Sequence, residues 1–281
     1  DRAAVTVKVE NSPQSRPQGG LDVADVVFEP VVEGGQTRFL AVFQSTDADS
    51  VGPVRSVRPS DPAIVSPFGG VVAYSGGIGR FVNAMKATGL KNYTENDTDV
   101  LVRRSDKRAP HNLYASTSAL RSKAGGGNPP PKFNSFLKPG EPYAPAGAVP
   151  VTHITLAVGR TTTAEYDWDA ASSTWKRSTD GRPHVAESGA QIAPTTVIVQ
   201  FIPYEGTGEV DASGSPVTEG KVVGTGEAVI FSGGTMLRGR WSKPNANAMT
   251  TWTDAAGAPI SLPPGRTWVE MPALGAALTT T

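Results

Sequence analysis

Cysteine is absent from this chain of 281 residues, and its absence excludes several kinds of site. There can be no disulfide framework, no zinc site built from thiolates and no cysteine nucleophile. Histidine is nearly as scarce, because His111, His153 and His184 are the whole set and show neither HxxH nor HExxH spacing. The sequence therefore predicts no metal site and, since no nucleotide-binding motif is present, no cofactor.

Long apolar runs and net charge are also missing. No run approaches the roughly 18 apolar residues of a transmembrane helix, and 26 basic residues balance 26 acidic ones. A neutral protein has no global field that attracts nucleic acid or a membrane surface. The charge is uneven, however, with ten Lys/Arg against five Asp/Glu in residues 51–121 and four against eight in residues 1–50. We therefore expect no nucleic-acid partner, but a locally basic region.

Residues 1–125 combine strand and helix patterns. Apolar runs bounded by turn residues predict four strands, at 4–9, 25–32, 37–44 and 70–74. The second and third are separated by a Gly-rich turn and should pair antiparallel. Helices are predicted from Gly79 and over residues 116–123. These patterns predict an α+β protein whose N-terminal domain, residues 1–125, is mixed α/β.

The remainder of the chain has a different character. Residues 126–150 are rich in glycine and proline and are predicted to connect two domains. Residues 151–281 show short strand patterns separated by turn signals, with no helical period, which predicts a mainly antiparallel β-rich domain of sandwich or barrel type. Its aromatic residues are expected to be core residues; a row of them on one exposed face would instead stack on sugars. These aromatics are Tyr166, Trp168, Trp175, Trp241, Trp252 and Trp268.

The strongest polar feature is the segment VGPVRSVRPSD, residues 51–61. Arg55 and Arg58 lie three residues apart between prolines, and two guanidinium groups at that spacing can bind a carboxylate or phosphate bidentately. The alternative is structural, because a buried arginine requires a partner. Asp25, Glu33 and Asp61 are the internal carboxylates that could fill that role.

Two further segments are expected to join this arginine loop in one anion-binding site. The first, RRSDKRAPHNLY, supplies Arg108, His111, Asn112 and Tyr114. The second is the turn after the strand at 70–74, where Ser75, Gly76 and Gly77 would direct backbone N–H groups at an anion and Arg80 begins the following helix. Each segment also has a structural interpretation, as hydrogen-bonded loop residues and turn glycines.

Catalysis is an alternative for the same residues, although the sequence favours a protein that is not an enzyme. His111 could serve as a general base with Glu33 or Asp61 as the acidic partner. No nucleophile is evident beside it, because Ser75 lies in AYSGG, which lacks the GxSxG pattern of a nucleophile elbow.

Several long stretches resemble one bacterial family. The segments KVENSPQSRPQGGLDVADVVFEPVVEGGQTRFLAVFQSTDADSVGPVRSVRPSD, AYSGG, RSDKRAPHNLYAS, DGRPHV, VIVQFIPY and RGRWSKP are similar to the YerB-like lipoproteins, which carry the domain-of-unknown-function label DUF3048. The resemblance covers nearly the whole chain and implies a two-domain protein of the cell envelope. It implies no established activity.

The sequence is compatible with three functions. The favoured one is an extracytoplasmic binding or adaptor protein, secreted or lipid-anchored, that recognises an anionic or glycan group of the cell wall or an envelope protein. The alternatives are a cell-wall hydrolase or transferase that uses His111, and a structural assembly factor without a ligand. The chain starts at Asp1 without a methionine, so we expect a signal or lipid-anchor segment to precede it, and contact with the membrane only through such an anchor.

Overall fold

The computed structural model describes residues 2–281 and consists mainly of strands, with 41% of the chain in strands and 10% in helices. The helices are α1 (Asp61–Val65), α2 (Gly79–Lys86) and α3 (Thr117–Lys123). The strands are β1 (Val5–Glu10), β2 (Val26–Pro30), β3 (Arg38–Phe43), β4 (Val71–Ala73), β5 (Lys91–Tyr93), β6 (Leu101–Arg103), β7 (Leu113–Ala115), β8 (Val149–Pro150), β9 (His153–Gly159), β10 (Thr162–Asp169), β11 (Thr174–Thr179), β12 (Arg182–Pro183), β13 (Thr196–Gln200), β14 (Tyr204–Val210), β15 (Pro216–Gly220), β16 (Gly224–Ser232), β17 (Thr235–Lys243), β18 (Thr251–Asp254), β19 (Thr267–Met271) and β20 (Leu278–Thr280).

One 11-stranded sheet contains strands from both parts of the chain. Its order is β18-β17-β16-β13-β19-β2-β3-β1-β4-β5, with β8 paired to β17. The two parts meet where β2 and β19 pair in parallel, with Val26 opposite Thr267 and Pro30 opposite Met271. The division into domains at residues 125 and 151 stays a prediction, but the strands on either side of it share this sheet.

Both faces of the large sheet are buried, because its strands alternate between two apolar cores. Val5, Val7 and Val9 of β1 belong to a core that a second sheet, β12-β11-β10-β9-β20, covers together with α3. On the other face, α1 and α2 contribute Ile64 and Phe81 to a second core. None of the helices in residues 2–281 has the length and apolar character required to span a membrane.

The mixed α/β character expected for residues 1–125 is not confirmed, because the helices there are few and short. Prolines and glycines limit them. Pro62 occupies the first turn of α1 and Pro67 follows its end, while Gly89 and Gly125 take positive φ angles just after α2 and α3. The result is a strand-rich protein in which α1 and α2 pack on one face of the large sheet and α3 packs on the other.

The Gly/Pro-rich segment 126–150 packs against the large sheet. The ring of Phe133 contacts Phe28 and Phe68 at centroid distances of 6.1 Å, and Trp252 at 5.2 Å. The backbone of Leu137 donates to the carbonyl of Leu262 at 2.9 Å. Phe133 thus packs against the core of the α1–α2 face, while the two-residue strand β8 at the end of the segment is exposed and pairs with β17 at the sheet edge.

Lys243 at the end of β17 is a buried cation whose replacement should stabilise the protein. It is 2% exposed, its ammonium donates to the carbonyl of Ala248, and burial lowers its pKa to about 8. We expect Lys243→Met to raise the free energy of unfolding at pH 7 by about 1–3 kcal/mol, because no ion then has to be desolvated.

The pH dependence provides the control for this prediction. Between pH 8 and about 10.5 the unfolded chain holds a proton on Lys243 that the folded protein has lost, so wild-type stability should rise with pH in this window. Urea unfolding at pH 7 and pH 10 should therefore show that the advantage of Lys243→Met shrinks at pH 10. Lys86→Met, at an exposed position on α2, should give no comparable gain; equal gains in the two variants would contradict the argument.

Candidate functional site

The arginine loop runs along the carboxyl end of β1. The backbone N–H of Arg55 donates to the carbonyl of Lys8 at 2.9 Å, and the N–H of Ser75 donates to the carbonyl of Arg55 at 2.9 Å. Arg55 therefore lies between the end of β1 and the turn that follows β4. This arrangement brings the arginine loop and the Gly-rich turn together.

The contacts of Arg58 indicate a structural role. It is 8% exposed, its Nε lies 2.5 Å from Glu33 Oε2, and its terminal nitrogen binds the other oxygen of the same carboxylate. Arg38 also donates to Glu33, at 3.0 Å. Burial acts to raise the pKa of Glu33, but the hydrogen bond from Arg58 and the nearby guanidinium charges lower it below its ordinary value. Glu33 is therefore the partner of Arg58, as the structural interpretation expected.

Arg55 makes fewer contacts with the protein than Arg58 does. Its Nε lies 3.1 Å from Glu10 Oε2 without the geometry of a hydrogen bond, and its side chain is 26% exposed. The same carboxylate oxygen lies 2.7 Å from Nδ1 of His111, which is 22% exposed. Glu10 thus connects the two residues on which the prediction of a site depended. Asp25, the other candidate partner, instead accepts from the backbone N–H groups of Gln44 and Ser45.

Asp61 forms a buried ion pair and is not placed beside His111. Its Oδ1 accepts from Nζ of Lys8 at 2.8 Å, with both side chains 1% exposed, and its Oδ2 accepts from the backbone N–H of Arg58 at 2.7 Å. Burial lowers the pKa of Lys8 to about 8, and Asp61 only partly offsets this. Neither Glu33 nor Asp61 contacts His111, so the acidic partner in the structure is Glu10.

These residues form one group on the α1–α2 face of the large sheet, which we call the β1 charge cluster. Lys8 and Glu10 are two residues apart on β1, and Arg38 lies directly opposite Glu10 on β3. The cluster contains four cationic side chains, three carboxylates and one imidazole: Lys8, Arg38, Arg55, Arg58, Glu10, Glu33, Asp61 and His111.

The other residues of the histidine loop face a different carboxylate. The hydroxyl of Tyr114 donates to Glu187 at 3.1 Å, and Arg104 lies over the Tyr114 ring at 4.6 Å. Burial, followed by the charge of Glu187, raises the pKa of Tyr114. Asn112 accepts from Arg103 at 3.0 Å, and Arg108 is exposed. The structure therefore brings His111, but not Tyr114 or Asn112, to Arg55 through Glu10.

The Gly-rich turn is built differently from the expected anion site. The carbonyl of Gly76 accepts from Val57 at 3.1 Å, so this turn also contributes an acceptor. A Cβ atom on Gly76 would lie 3.5 Å from Oε1 of Glu95, so a carboxylate of the chain itself occupies this position. Arg80 points away toward the β14–β15 hairpin, where it binds Glu209 at 3.1 Å and the carbonyl of Thr207 at 2.8 Å.

A second charged cluster lies fully buried between the two sheets and was not predicted. Arg177 donates to Glu29 at 2.7 Å and lies 3.5 Å from Glu270, and all three side chains are 0% exposed. Nδ1 of His184 accepts from Arg177 at 2.6 Å, and burial followed by the charge of Arg177 lowers the pKa of His184 well below its ordinary value. His184 is thus a neutral structural acceptor. The signal in the sequence was a charged residue inside an apolar strand, as in VVFEP and TWVEM.

The aromatic residues of the second half of the chain do not form a sugar-stacking face. Five of the six are at most 2% exposed, and the sixth, Trp168, is partly buried against Trp175. The five are Tyr166, Trp175, Trp241, Trp252 and Trp268. In residues 2–281 no group of three or more side chains is arranged to hold a metal ion.

Comparison with known proteins identifies the family. The chain matches the N-terminal domain of the "Protein of unknown function (DUF3048)" over residues 1–129 and the C-terminal domain of the same family over residues 154–269. The chain belongs to the DUF3048 family. The resemblance noted in the sequence is thereby confirmed, and residues 130–153 lie between the two matched domains.

A similar sequence and a similar structure both carry the name YerB. "Putative lipoprotein YerB" of Bacillus subtilis (strain 168) is 27% identical over 289 residues, which covers 99% of this chain and 83% of that protein. The crystal structure of the YerB protein from Bacillus subtilis superimposes with a TM-score of 0.82 at 24% sequence identity, covering 99% of this chain and 94% of that one. The two share the fold; the name of the relative states a lipoprotein and no activity.

Proposed function

We propose that this DUF3048 protein is an extracytoplasmic binding protein of the cell envelope, which recognises an anionic group of cell-wall material, a carboxylate, through Arg55. The extracytoplasmic location is supported by the relative named as a lipoprotein. The binding role is supported by one observation above all. In the β1 charge cluster, Arg55 is the guanidinium whose side chain is accessible and makes no hydrogen bond within residues 2–281.

The contacts of the two arginines favour Arg55 over Arg58 as the residue that binds an anion. Arg58 cannot bind a ligand unless its hydrogen bonds to Glu33 break. Arg55, in contrast, can donate two hydrogen bonds from its terminal nitrogens to one carboxylate.

The test is the binding of purified protein to soluble muropeptides, measured by calorimetry. We expect Arg55→Gln to weaken binding by about tenfold to a hundredfold, since a charge-assisted pair is lost. Arg240→Gln is the matched control, because Arg240 is exposed on β17 and five strands separate β17 from β1. If Arg55→Gln binds as tightly as Arg240→Gln while urea unfolding shows both to be folded, Arg55 is not the recognition residue. If the wild-type protein binds no muropeptide, the proposed ligand is wrong.

Catalysis on cell-wall material is a second candidate, because Glu10 lies in position to orient the imidazole of His111. An Nδ1–carboxylate distance of 2.7 Å with a partly exposed ring is the arrangement of an oriented general base. The same incubation tests this function when the muropeptides are afterwards separated by chromatography. New products that disappear with His111→Ala would favour an enzyme, and unchanged muropeptides would favour binding alone.

A further inference from the structure

A cavity of about 380 Å³ lies where two arginine–proline pairs of the sequence come together, and we call it the Arg-Pro cavity. Arg16–Pro17 belongs to the segment between β1 and β2, and Arg182–Pro183 forms β12 of the second sheet. The volume falls within the range of about 300–1,000 Å³ that is typical of small-molecule sites. Neither pair takes part in the β1 charge cluster, so the cavity requires an explanation of its own.

Contacts within the protein hold the two segments side by side. A terminal nitrogen of Arg16 donates to Oδ2 of Asp180 at 2.8 Å. Two residues further along the first segment, Oε1 of Gln18 accepts from Nε2 of His184 at 2.9 Å. The two contacts lie at opposite ends of the arginine–proline pairs, so the walls of the cavity are fixed by the protein itself.

The β11–β12 hairpin places Arg182 at the cavity. Its two-residue turn is Asp180 and Gly181, with positive φ angles of 53° and 73°, and Thr179 pairs with Arg182 across this turn. Paired residues of antiparallel strands have their side chains on the same face of the sheet, and both of these residues line the cavity. Thr179 is 2% exposed and Arg182 is exposed, so the threonine lies on the floor and the guanidinium at the rim.

The charged side chains of the lining are cationic. Arg16 and Arg182 line the cavity, and no aspartate or glutamate of residues 2–281 lines it with them. Asp180 lies beside the cavity but is bound to Arg16, and Arg182 forms no ion pair within residues 2–281. Below the floor, Arg177 donates to His184 at 2.6 Å. This arrangement disfavours a cation and favours an anion, because Arg182 can donate two hydrogen bonds to one carboxylate or phosphate group.

The other half of the lining is apolar and rigid. It consists of Pro13, Pro17, Pro183 and Val185, all of which are exposed. A ring packed against them would be removed from water together with the apolar surface that it covers, and the proline side chains have no rotamer freedom to lose. An inorganic ion would contact only the cationic half of the cavity, so the lining favours a ligand that carries an anionic group on an apolar ring.

We propose that the Arg-Pro cavity binds a small organic anion, whose carboxylate or phosphate group is bound by Arg182 and whose ring packs against the prolines. The site is separate from Arg55. Strand β12 belongs to the second sheet, which covers one face of the large sheet, whereas the β1 charge cluster lies on the α1–α2 face. The inference therefore goes beyond the proposed function and does not depend on it.

The experiment follows the backbone amide signals of the ¹⁵N-labelled full chain at constant ionic strength, with phenyl phosphate and benzoate as probes. We expect both to shift the signals of Arg182 and Val185 with millimolar affinity, and the tighter of the two identifies the preferred anionic group. Arg182→Gln should weaken binding about tenfold or more, because a charge-assisted pair is lost. Arg240→Gln, at an exposed position on β17, should leave it unchanged.

Two further variants separate the contributions of charge, hydrogen-bond geometry and apolar contact. Arg182→Lys retains the charge but cannot donate two parallel hydrogen bonds to one anion, so binding should be intermediate between wild type and Arg182→Gln. Val185→Thr keeps the shape of the side chain and replaces a methyl group by a hydroxyl, which should weaken phenyl phosphate binding about two- to fivefold. Both positions are exposed, so urea unfolding should show unchanged stability.

Four outcomes would overturn the proposal. Inorganic phosphate that binds as tightly as phenyl phosphate would show that the ring contributes nothing, and benzyl alcohol that binds as tightly would show the same of the charge. Unchanged binding in Arg182→Gln would place the probe elsewhere, as would shifts confined to the surroundings of Arg55. The absence of any shift at about 50 mM, well above millimolar affinities, would show that the cavity takes no such ligand. If the probes bind as expected while muropeptides do not, the Arg-Pro cavity stands and the proposed function fails.

Discussion

Arg177→Met is expected to lower the free energy of unfolding by about 3–5 kcal/mol at pH 7, because it leaves the buried carboxylate of Glu29 without its cation. Arg177 also donates to the hydroxyl of Tyr166 at 3.1 Å, and that hydroxyl donates to Glu270 at 2.6 Å. One substitution therefore removes hydrogen bonds from several fully buried groups. Urea unfolding followed by tryptophan fluorescence measures the loss, and thermal unfolding should show it as a lower Tm.

The charge state of Glu270 provides the control. Burial, and then the charge of Glu29, raises the pKa of Glu270 well above its ordinary value, which favours the neutral form of Glu270. Its raised pKa favours the folded state at low pH, and this contribution is lost as the pH rises from the ordinary pKa of a glutamate to the raised pKa of Glu270. Glu270→Gln should therefore be nearly neutral or stabilising at pH 7, although it replaces a residue of the same cluster. A loss as large as that of Arg177→Met would mean that Glu270 is the ionised partner.

Asp61→Asn is expected to cost about 3–5 kcal/mol at pH 7, since the buried ammonium of Lys8 loses its counter-charge. The amide also weakens the acceptor of the Arg58 backbone N–H at the entry to α1. Asp61 raises the pKa of Lys8, so without it that pKa falls below the wild-type value of about 8. The destabilisation should therefore shrink as the pH rises to about 8, where Lys8 loses its proton in the variant but not in the wild type, and stay constant above it. Urea unfolding at pH 7 and at pH 9.5 measures the difference.

A paired replacement separates an electrostatic effect from a packing effect at this position. Lys8→Met combined with Asp61→Leu replaces both ions by apolar side chains and should recover most of the stability lost in Asp61→Asn. If the double variant is as unstable as Asp61→Asn, the loss comes from the local geometry of the loop, and the ion pair is not its cause. If stability is recovered, the double variant is a folded protein without Asp61. Its binding and catalytic properties would then show whether Asp61 is required for either.

The local structure of the first half followed from its sequence where the apolar pattern was strong. The strands expected at residues 4–9, 25–32 and 37–44 correspond to β1, β2 and β3, and the latter two pair antiparallel. The helix expected over residues 116–123 corresponds to α3, and Ser116 caps it, since its hydroxyl accepts from the backbone N–H of Ala119. These features depend on residues close in sequence, so alternation, turn glycines and capping chemistry predicted them.

Pairings between distant residues could not be predicted in this way. Nothing in the sequence of β2 specifies that its neighbour is β19, because a parallel partner is selected by packing and can lie anywhere in the chain. For the same reason Glu10 was missed as the partner of His111, which is 101 residues away. The arginine loop was recognised from its composition, whereas its charge balance depended on Lys8 and Arg38, which are contributed by two other strands.

The parallel pairing of β2 with β19 has a consequence for biosynthesis. β2 ends at Pro30 and β19 begins at Thr267, so a ribosome adding about 5–20 residues per second needs on the order of ten to fifty seconds to make the second strand after the first. During this interval the backbone groups along one side of β2 have no native partner, and an open strand edge readily pairs with other chains. A cell that produces this protein must therefore keep the nascent chain away from its neighbours until nearly all of it has been made.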